Sequence, residues 1–289
     1  MQLGLTIHLT DRSIDIRELA VEAEARGFSS LYVPEHTHIP SDRTTPIPAG
    51  GMDLADEYPR SPDPWVSLAA AAAVTQRIRL GTGVALVAQH HPINLAKASA
   101  SVDVLSGGRF VLGIGYGWNV EEMAHHGVEY RTRRAQAREH VLAVKALWAE
   151  EAAEYHGEFV DFSPSWSWPK PVQRPGPPVL IGGGAGPKLF DHIAEYADGW
   201  LPIGGGGVAL PWTACGPPVT RGVVTPPNCR SFPSERCPTG GSWTTTGHWE
   251  SGKPCCACRQ RHATTCYPCS TSSPTSSIDP PRRYCRRSR

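Results

Sequence analysis

Apolar residues in positions 1–206 of this chain fall into short runs, separated by stretches with helical spacing. Leu3 to Ile7 alternates and is rich in strand formers, which predicts a first strand. Asp15 with Glu18 three residues later has the form of a capping box. Leu19, Ala20 and Ala23 follow at helical spacing, and Gly27 can end the helix. Ser30 to Val33 reads as a second strand, and a strand–helix–strand unit builds a parallel pair.

The same alternation continues. A polar loop rich in Pro and Gly covers 35–63, and Asp63-Pro64 opens an Ala-rich helix. Ile78 to Val87 is predicted as a strand, Pro92 to Leu105 as a helix stopped by Gly107 and Gly108, and Arg109 to Ile114 as a strand. Val141, Leu142, Leu147 and Trp148 mark a further helix. Pro178 to Ile181 is a fully apolar strand. A helix from Pro187 puts Leu189, Ile193 and Ala197 on one face, and Gly199 to Ile203 is a sixth strand. Continuous apolar strands suit a sheet buried on both faces. An open doubly wound sheet and a (β/α)8 barrel both fit this order.

Composition changes the picture beyond residue 206. The chain has 289 residues and a formal charge of +1, yet residues 1–206 hold 17 basic and 24 acidic side chains, against 11 and three in 207–289. All nine cysteines lie at or beyond Cys215. A first part without cysteine fits a reducing cytoplasm. No apolar run approaches the ~20 residues that span a bilayer, and MQLGLTIHLTDRS lacks a basic start followed by an apolar core. Neither a membrane anchor nor a secretion signal is expected. From Val208 on, only six Val, Leu or Ile residues occur, without a period of 2 or 3.6. Such a stretch cannot bury enough surface to offset chain entropy, so 207–289 is expected to be a disordered tail.

Disorder alone does not account for nine cysteines together with Trp212, Trp243 and Trp249. Out-of-frame reading of GC-rich codons does, because it yields Arg, Pro, Cys, Trp, Ser and Thr in excess. A frame change is therefore expected near residues 207–210. The basic residues of the tail are scattered, which argues against nucleic-acid binding. Cys255, Cys256, Cys258, His262, Cys266 and Cys269 include C-x-C and C-x-x-C spacings, but no strand or helix signal surrounds them. No metal site is assigned.

In parallel sheets and barrels, ligands gather at the carboxyl ends of the strands. Those positions hold Glu35 and His36, then Gly83 and Val84 with Gln89-His90-His91 beyond. They also hold Gly113, Gly115, Tyr116, Gly117 and Trp118, and finally Gly182, Gly183 and Gly184 before a helix carrying Lys188. Consecutive glycines free several N–H groups to face one anion, and a following helix adds its positive end. The last loop thus has the form of a phosphate cradle, though a tight strand–helix turn wants glycine equally. Its spacing does not match the dinucleotide fingerprint. The glycines from Gly113 to Gly117 would let a flat ring lie close to the backbone between Tyr116 and Trp118, or relieve crowding in a barrel. His36 and His38 stand two apart without a third ligand, so a histidine that moves protons is preferred to a metal pair. Glu35 reads either as a second polar contact or as a solvated loop acid.

Six segments taken in order now carry a resemblance: LYVPEHTHIP, RLGTGVALV, LAKASASVDVLSGGRFVLGIGYGWNVEEM, HGEFVDF, WSWPKPVQRP and PPVLIGG. Through them, residues 3–206 resemble the luciferase-like monooxygenase superfamily, and within it the branch of F420-dependent oxidoreductases. The resemblance implies a TIM barrel, here with six of its strands. It implies a flavin or deazaflavin ring resting on a non-prolyl cis peptide at Gly83-Val84. Glu35-His36 would lie by the reactive face, with His36 handling the proton. Gly113, Gly115, Tyr116, Gly117 and Trp118 would border the ring and its tail, and Gly182, Gly183 and Gly184 the cofactor phosphate. Trp118 stands where sugar-oxidising members carry Glu, which argues against a phosphosugar substrate. The implied activity is hydride transfer between F420 and a small organic substrate. An FMN-dependent monooxygenase using O2 and an inactive frameshifted product are the alternatives, and a homodimer is the implied partner state. Nothing from 208 on matches the last strands and helices of the family, so the chain as written is expected to be unstable.

Overall fold

Local signals place most of the elements. The Asp15 carboxylate accepts from Arg17 N, and α1 (Ile16–Ala25) begins directly after it. Gly27 turns the chain at a φ of 79°. β1 (Gly4–Thr6) then pairs in parallel with β2 (Ser30–Val33). Asp63 caps α2 (Pro64–Val74) through Val66 N, with Pro64 in the first turn where its missing N–H costs nothing. β3 (Arg79–Thr82), α3 (Pro92–Leu105), β4 (Phe110–Ile114), α4 (Val120–His125) and α5 (Arg133–Ala149) follow. After them come β5 (Ala152–His156), β6 (Asp161–Trp166), β7 (Val179–Gly183), α6 (Pro187–Tyr196) and β8 (Gly199–Pro202). The structure, a computed structural model, describes residues 2–48 and 50–203. The expectations for 207–289 (disorder, a frame change, the cysteine spacings) lie outside the described residues.

Six strands form one parallel sheet in the order β1-β2-β3-β4-β7-β8. The helices touch one another in the matching order: α1 with α2, α2 with α3, α3 with α5, and α5 with α6. A doubly wound sheet divides its helices between two faces, whereas one continuous helix layer belongs to a sheet that curls. The described residues accordingly make a curled half-barrel of six parallel strands.

Side-chain alternation along the strands separates two packed regions. Leu31, Val33, Phe110, Leu112, Val179 and Ile181 pack outward with the helices, around the buried Trp148 of α5. Tyr32, Val111 and Leu180, with Leu201, form a second cluster on the opposite face of the strands. There the sheet is tight. A Cβ added at Gly113 would lie 2.0 Å from Thr82 O and 2.7 Å from a Leu201 methyl. At the amino ends of the strands, the Arg109 guanidinium donates to the carbonyls of Ala72, Thr75, Ile78 and Ser106. The Glu24 carboxylate accepts from the N–H groups of Gln76, Arg77 and Ile78. These two ionic side chains tie the returns between helices and strands together.

Three features differ from the sequence reading. The strand expected over 78–87 ends at Thr82, because the next backbone groups find other partners. Leu86 N–H donates to the Glu35 carboxylate, and Val87–Gln89 form a single 3-10 turn. The antiparallel hairpin β5–β6 was not anticipated. Most of its residues stay exposed or half-buried, so no apolar alternation marks it, and its turn is held by the Glu139 carboxylate accepting from Glu158 N, Phe159 N and Val160 N. α4 is six residues long, too short for a period to show. Because Gly113 has no room for a side chain, we expect Gly113→Ala to cost about 1–3 kcal/mol of stability through overpacking. A lowered urea midpoint would report it, and an unchanged one would show that the strands can part at this point.

Candidate active site

The carboxyl ends of β2, β3, β4 and β7 bring the predicted residues to one rim. Past Thr82 the chain turns through a cis peptide between Gly83 and Val84, the position the resemblance implied. Neighbouring strands grip this turn from both sides. Gly83 N–H donates to Val33 O at 2.7 Å, and Glu35 N–H to Val84 O at 3.2 Å. On the other side, Ala85 N–H donates to Gly113 O and Gly115 N–H to Ala85 O, both at 2.8 Å. The Val84 side chain is enclosed by glycines. A Cβ at Gly115 would meet Val84 Cγ2 at 2.4 Å, and one at Gly182 would meet Val84 Cγ1 at 2.6 Å. Gly113, Gly115 and Gly182 thus make space for protein, whatever else they border. Gly117, at a φ of 76°, turns the chain into α4.

Glu35 and His36 are adjacent in sequence but face different partners. The buried Glu35 carboxylate accepts from Leu86 N–H at 2.7 Å and lies 2.8 Å from His90 Nε2. It therefore clamps the exit of the Val84 turn. His36 Nδ1 lies 2.8 Å from Glu122 Oε2, with side chains only 7% and 1% exposed. Aromatic rings surround His36: Tyr58 at 5.2 Å and Trp118 at 6.0 Å between centroids, with His8 5.0 Å beyond Tyr58. Arg43 covers the Trp118 ring at 5.7 Å. Tyr116 is directed elsewhere. Its hydroxyl bonds His192 Nδ1 and the Tyr196 hydroxyl of α6, at 2.7 and 2.8 Å.

The long loop that carries Arg43 and Tyr58 is tied at both ends. Glu121 accepts from the N–H and hydroxyl groups of Thr44 and Thr45. The Thr45 hydroxyl foremost, with Thr44, holds the Glu121 carboxyl down to about 2 against the effect of burial. Arg60 meets Asp11 and Asp56. Burial, and then the neighbouring His36, push His8 below its ordinary value. At the end of β7, no side chain among the described residues caps α6, and a Cβ at Gly184 would meet none of them within 4 Å. Gly183 and Gly184 lead into that helix start, which leaves N–H groups free to face an anion.

A profile of luciferase-like monooxygenases matches residues 5–209. The chain belongs to this family. An uncharacterised protein of Mycobacterium tuberculosis is 52% identical over 203 residues, covering 70% of this chain and 72% of the relative. An F420-dependent glucose-6-phosphate dehydrogenase of Kineococcus radiotolerans is 31% identical over 199 residues, covering 68% of this chain and 54% of that one. Among solved structures, the monooxygenase RslO1 of Streptomyces bottropensis superposes with a TM-score of 0.57 at 31% identity, covering 67% of this chain and 57% of that one. The half-barrel corresponds to part of the family's TIM barrel. The family comprises flavin- or F420-dependent oxidoreductases and monooxygenases. No helix among the described residues is long and apolar enough to cross a membrane.

Sequence reasoning did not single out Glu122, Tyr58 or His8. A local signal for Glu122 existed: Asn119 followed by two acids is a helix start, and the Asn119 side chain does accept from Glu122 N–H. Tyr58 and His8 gave none, since only the tertiary fold brings their rings to His36.

One pair has a pH signature. Burial disfavours the charged form of His90, but the Glu35 hydrogen bond and charge outweigh it and raise His90 above 6.5. A histidine whose native value is raised stabilises the fold fully below its unfolded value, and the contribution is lost as pH climbs through the native value. The stability gap between wild type and Glu35→Gln should therefore be widest below about pH 6.5 and narrow above it. Chemical denaturation across pH 5–9 measures this, and a gap that widens with pH would contradict it.

Proposed function

We propose that this chain binds a flavin-type cofactor, F420 with FMN as the alternative, and transfers hydride to or from a small organic substrate. One observation supports this most directly. His36 is buried among aromatic rings, next in sequence to the residue that grips the Val84 turn, with Nδ1 engaged by Glu122 and Nε2 making no hydrogen bond among the described residues. The residues present fit a flat ring with an anionic tail. Val84 and the turn around it offer a wall, Trp118 and Tyr58 supply aromatic faces, and the uncapped start of α6 beside Gly184 and Lys188 offers N–H groups and charge.

Bound there, the ring would supply a hydride acceptor or donor. The chain's own residues then have distinct parts. His36 would hold or receive the accompanying proton at Nε2. Trp118 and Tyr58 would exclude water and orient a small substrate, and Glu35 would keep the Val84 turn in shape through Leu86. Trp118 gives this wall an apolar surface, which favours an uncharged substrate over a phosphosugar.

Titration of the protein with F420 and with FMN, followed by fluorescence, discriminates the two cofactors, and binding of neither would overturn the proposal. His36→Ala should leave the affinity for the ring within a few-fold while lowering turnover by about 10²–10⁴. Equal turnover in wild type and variant would remove His36 from the chemistry.

A second reading, an inactive product, has its own support. The family match ends at residue 209, whereas the alignment takes in only 72% of the Mycobacterium relative. The composition beyond that point is that of GC-rich codons read out of frame. Sequencing the DNA across codons 200–215 decides this. If no one-base change restores strand and helix patterning downstream, the reading fails. If one does, assays of both versions show whether the chain as written retains activity.

A further inference from the structure

We infer that Glu122 is a positioning residue that fixes the tautomer of His36, with the proton on Nδ1 and Nε2 left without a hydrogen-bond partner among the described residues. The inference rests on the role proposed for His36 and adds what makes that role specific. An imidazole has two nitrogens, and which of them carries the proton is set by the hydrogen bond that the other atoms offer. An ionised carboxylate only accepts, so with Glu122 ionised the 2.8 Å contact from Nδ1 to Glu122 Oε2 places the proton on Nδ1. In the neutral ring Nε2 is then the acceptor, on the side away from α4.

Two further observations support a dedicated role over simple packing. Glu122 is only 1% exposed, and its other oxygen, Oε1, has no hydrogen-bond partner among the described residues. A buried carboxylate satisfied at one oxygen is costly, and an apolar side chain would fill the same space at less expense in stability. Its position is also fixed from below. Asn119 accepts from Glu122 N–H, and the next residue, Met123, is locked in the core. The acid is therefore held by a rigid helix start while the histidine sits on an extended segment, and their contact sets the rotation of the ring. A histidine held so that Nε2 alone faces the reacting atoms can take a proton there without first rearranging.

The test is the tautomer itself, read by two-bond ¹H–¹⁵N correlation on the ¹⁵N-histidine-labelled full chain, with His36 assigned by its loss in His36→Gln. In wild type we expect the shift pattern of an Nδ1-protonated ring. In Glu122→Leu, Nδ1 has no acceptor, and we expect that pattern to be lost in favour of the Nε2-protonated form that free imidazole side chains prefer. Glu122→Asp keeps an acceptor and should restore the wild-type pattern, which also covers the case in which Glu122→Leu does not fold. An Nε2-protonated His36 in wild type, or a pattern unchanged in Glu122→Leu, would overturn the inference. F420 and FMN titrations of the same samples separate it from the functional proposal. A correct tautomer with no cofactor binding sinks only the function, and cofactor binding with the wrong tautomer sinks only the role of Glu122.

Discussion

The site depends on one backbone constraint, the turn that leaves β3 at Gly83 and Val84. Strand pairing stops at Thr82, and the N–H and C=O groups released there must still find partners in a crowded interior. They find them on both flanks. Val33 and Glu35 bond to the turn from the end of β2, and Gly113 and Gly115 from the end of β4. The turn is consequently part of the sheet's own hydrogen bonding, and its geometry cannot drift unless the neighbouring strands move.

This constraint explains where the charged groups go. With the Glu35 backbone tied to Val84, its carboxylate reaches the exit of the turn at Leu86 and His90. The next side chain, His36, meets a different element, α4, which presents Glu122. His38, two residues on, meets His125 at 2.9 Å. Two adjacent residues that look like one acid–base pair in the sequence thus serve two separate histidine–carboxylate contacts. One holds the backbone at Leu86, and the other engages the ring proposed to handle the proton.

Glycine has a similar double meaning here. A glycine-rich strand end can cradle a ligand or admit neighbouring protein. Val84 occupies the space beside Gly115 and Gly182, and Thr82 the space beside Gly113. Gly184 and Gly186, before α6, have open surroundings among the described residues. The crowded glycines let the turn fit into the barrel, and the open ones lie where an anionic group could approach.

The order of strands and helices was legible in the sequence because its determinants are local. Asp15, Asp63, Pro64, Pro92 and the Gly107–Gly108 stop act within a turn or two of themselves, and fully apolar runs mark strands covered on both faces. The family was legible for a related reason, since the rim residues Glu35, His36, Gly83, Val84 and Trp118 lie in contiguous segments. The choice between barrel and open sheet was not local. It rests on helices meeting in one continuous layer, which no single segment encodes. The β5–β6 hairpin escaped because much of its surface stays wet, and α4 because six residues show no period. The partners of His36 escaped for a deeper reason. Glu122 and Tyr58 lie 86 and 22 positions away, and only the tertiary fold converts those separations into contact.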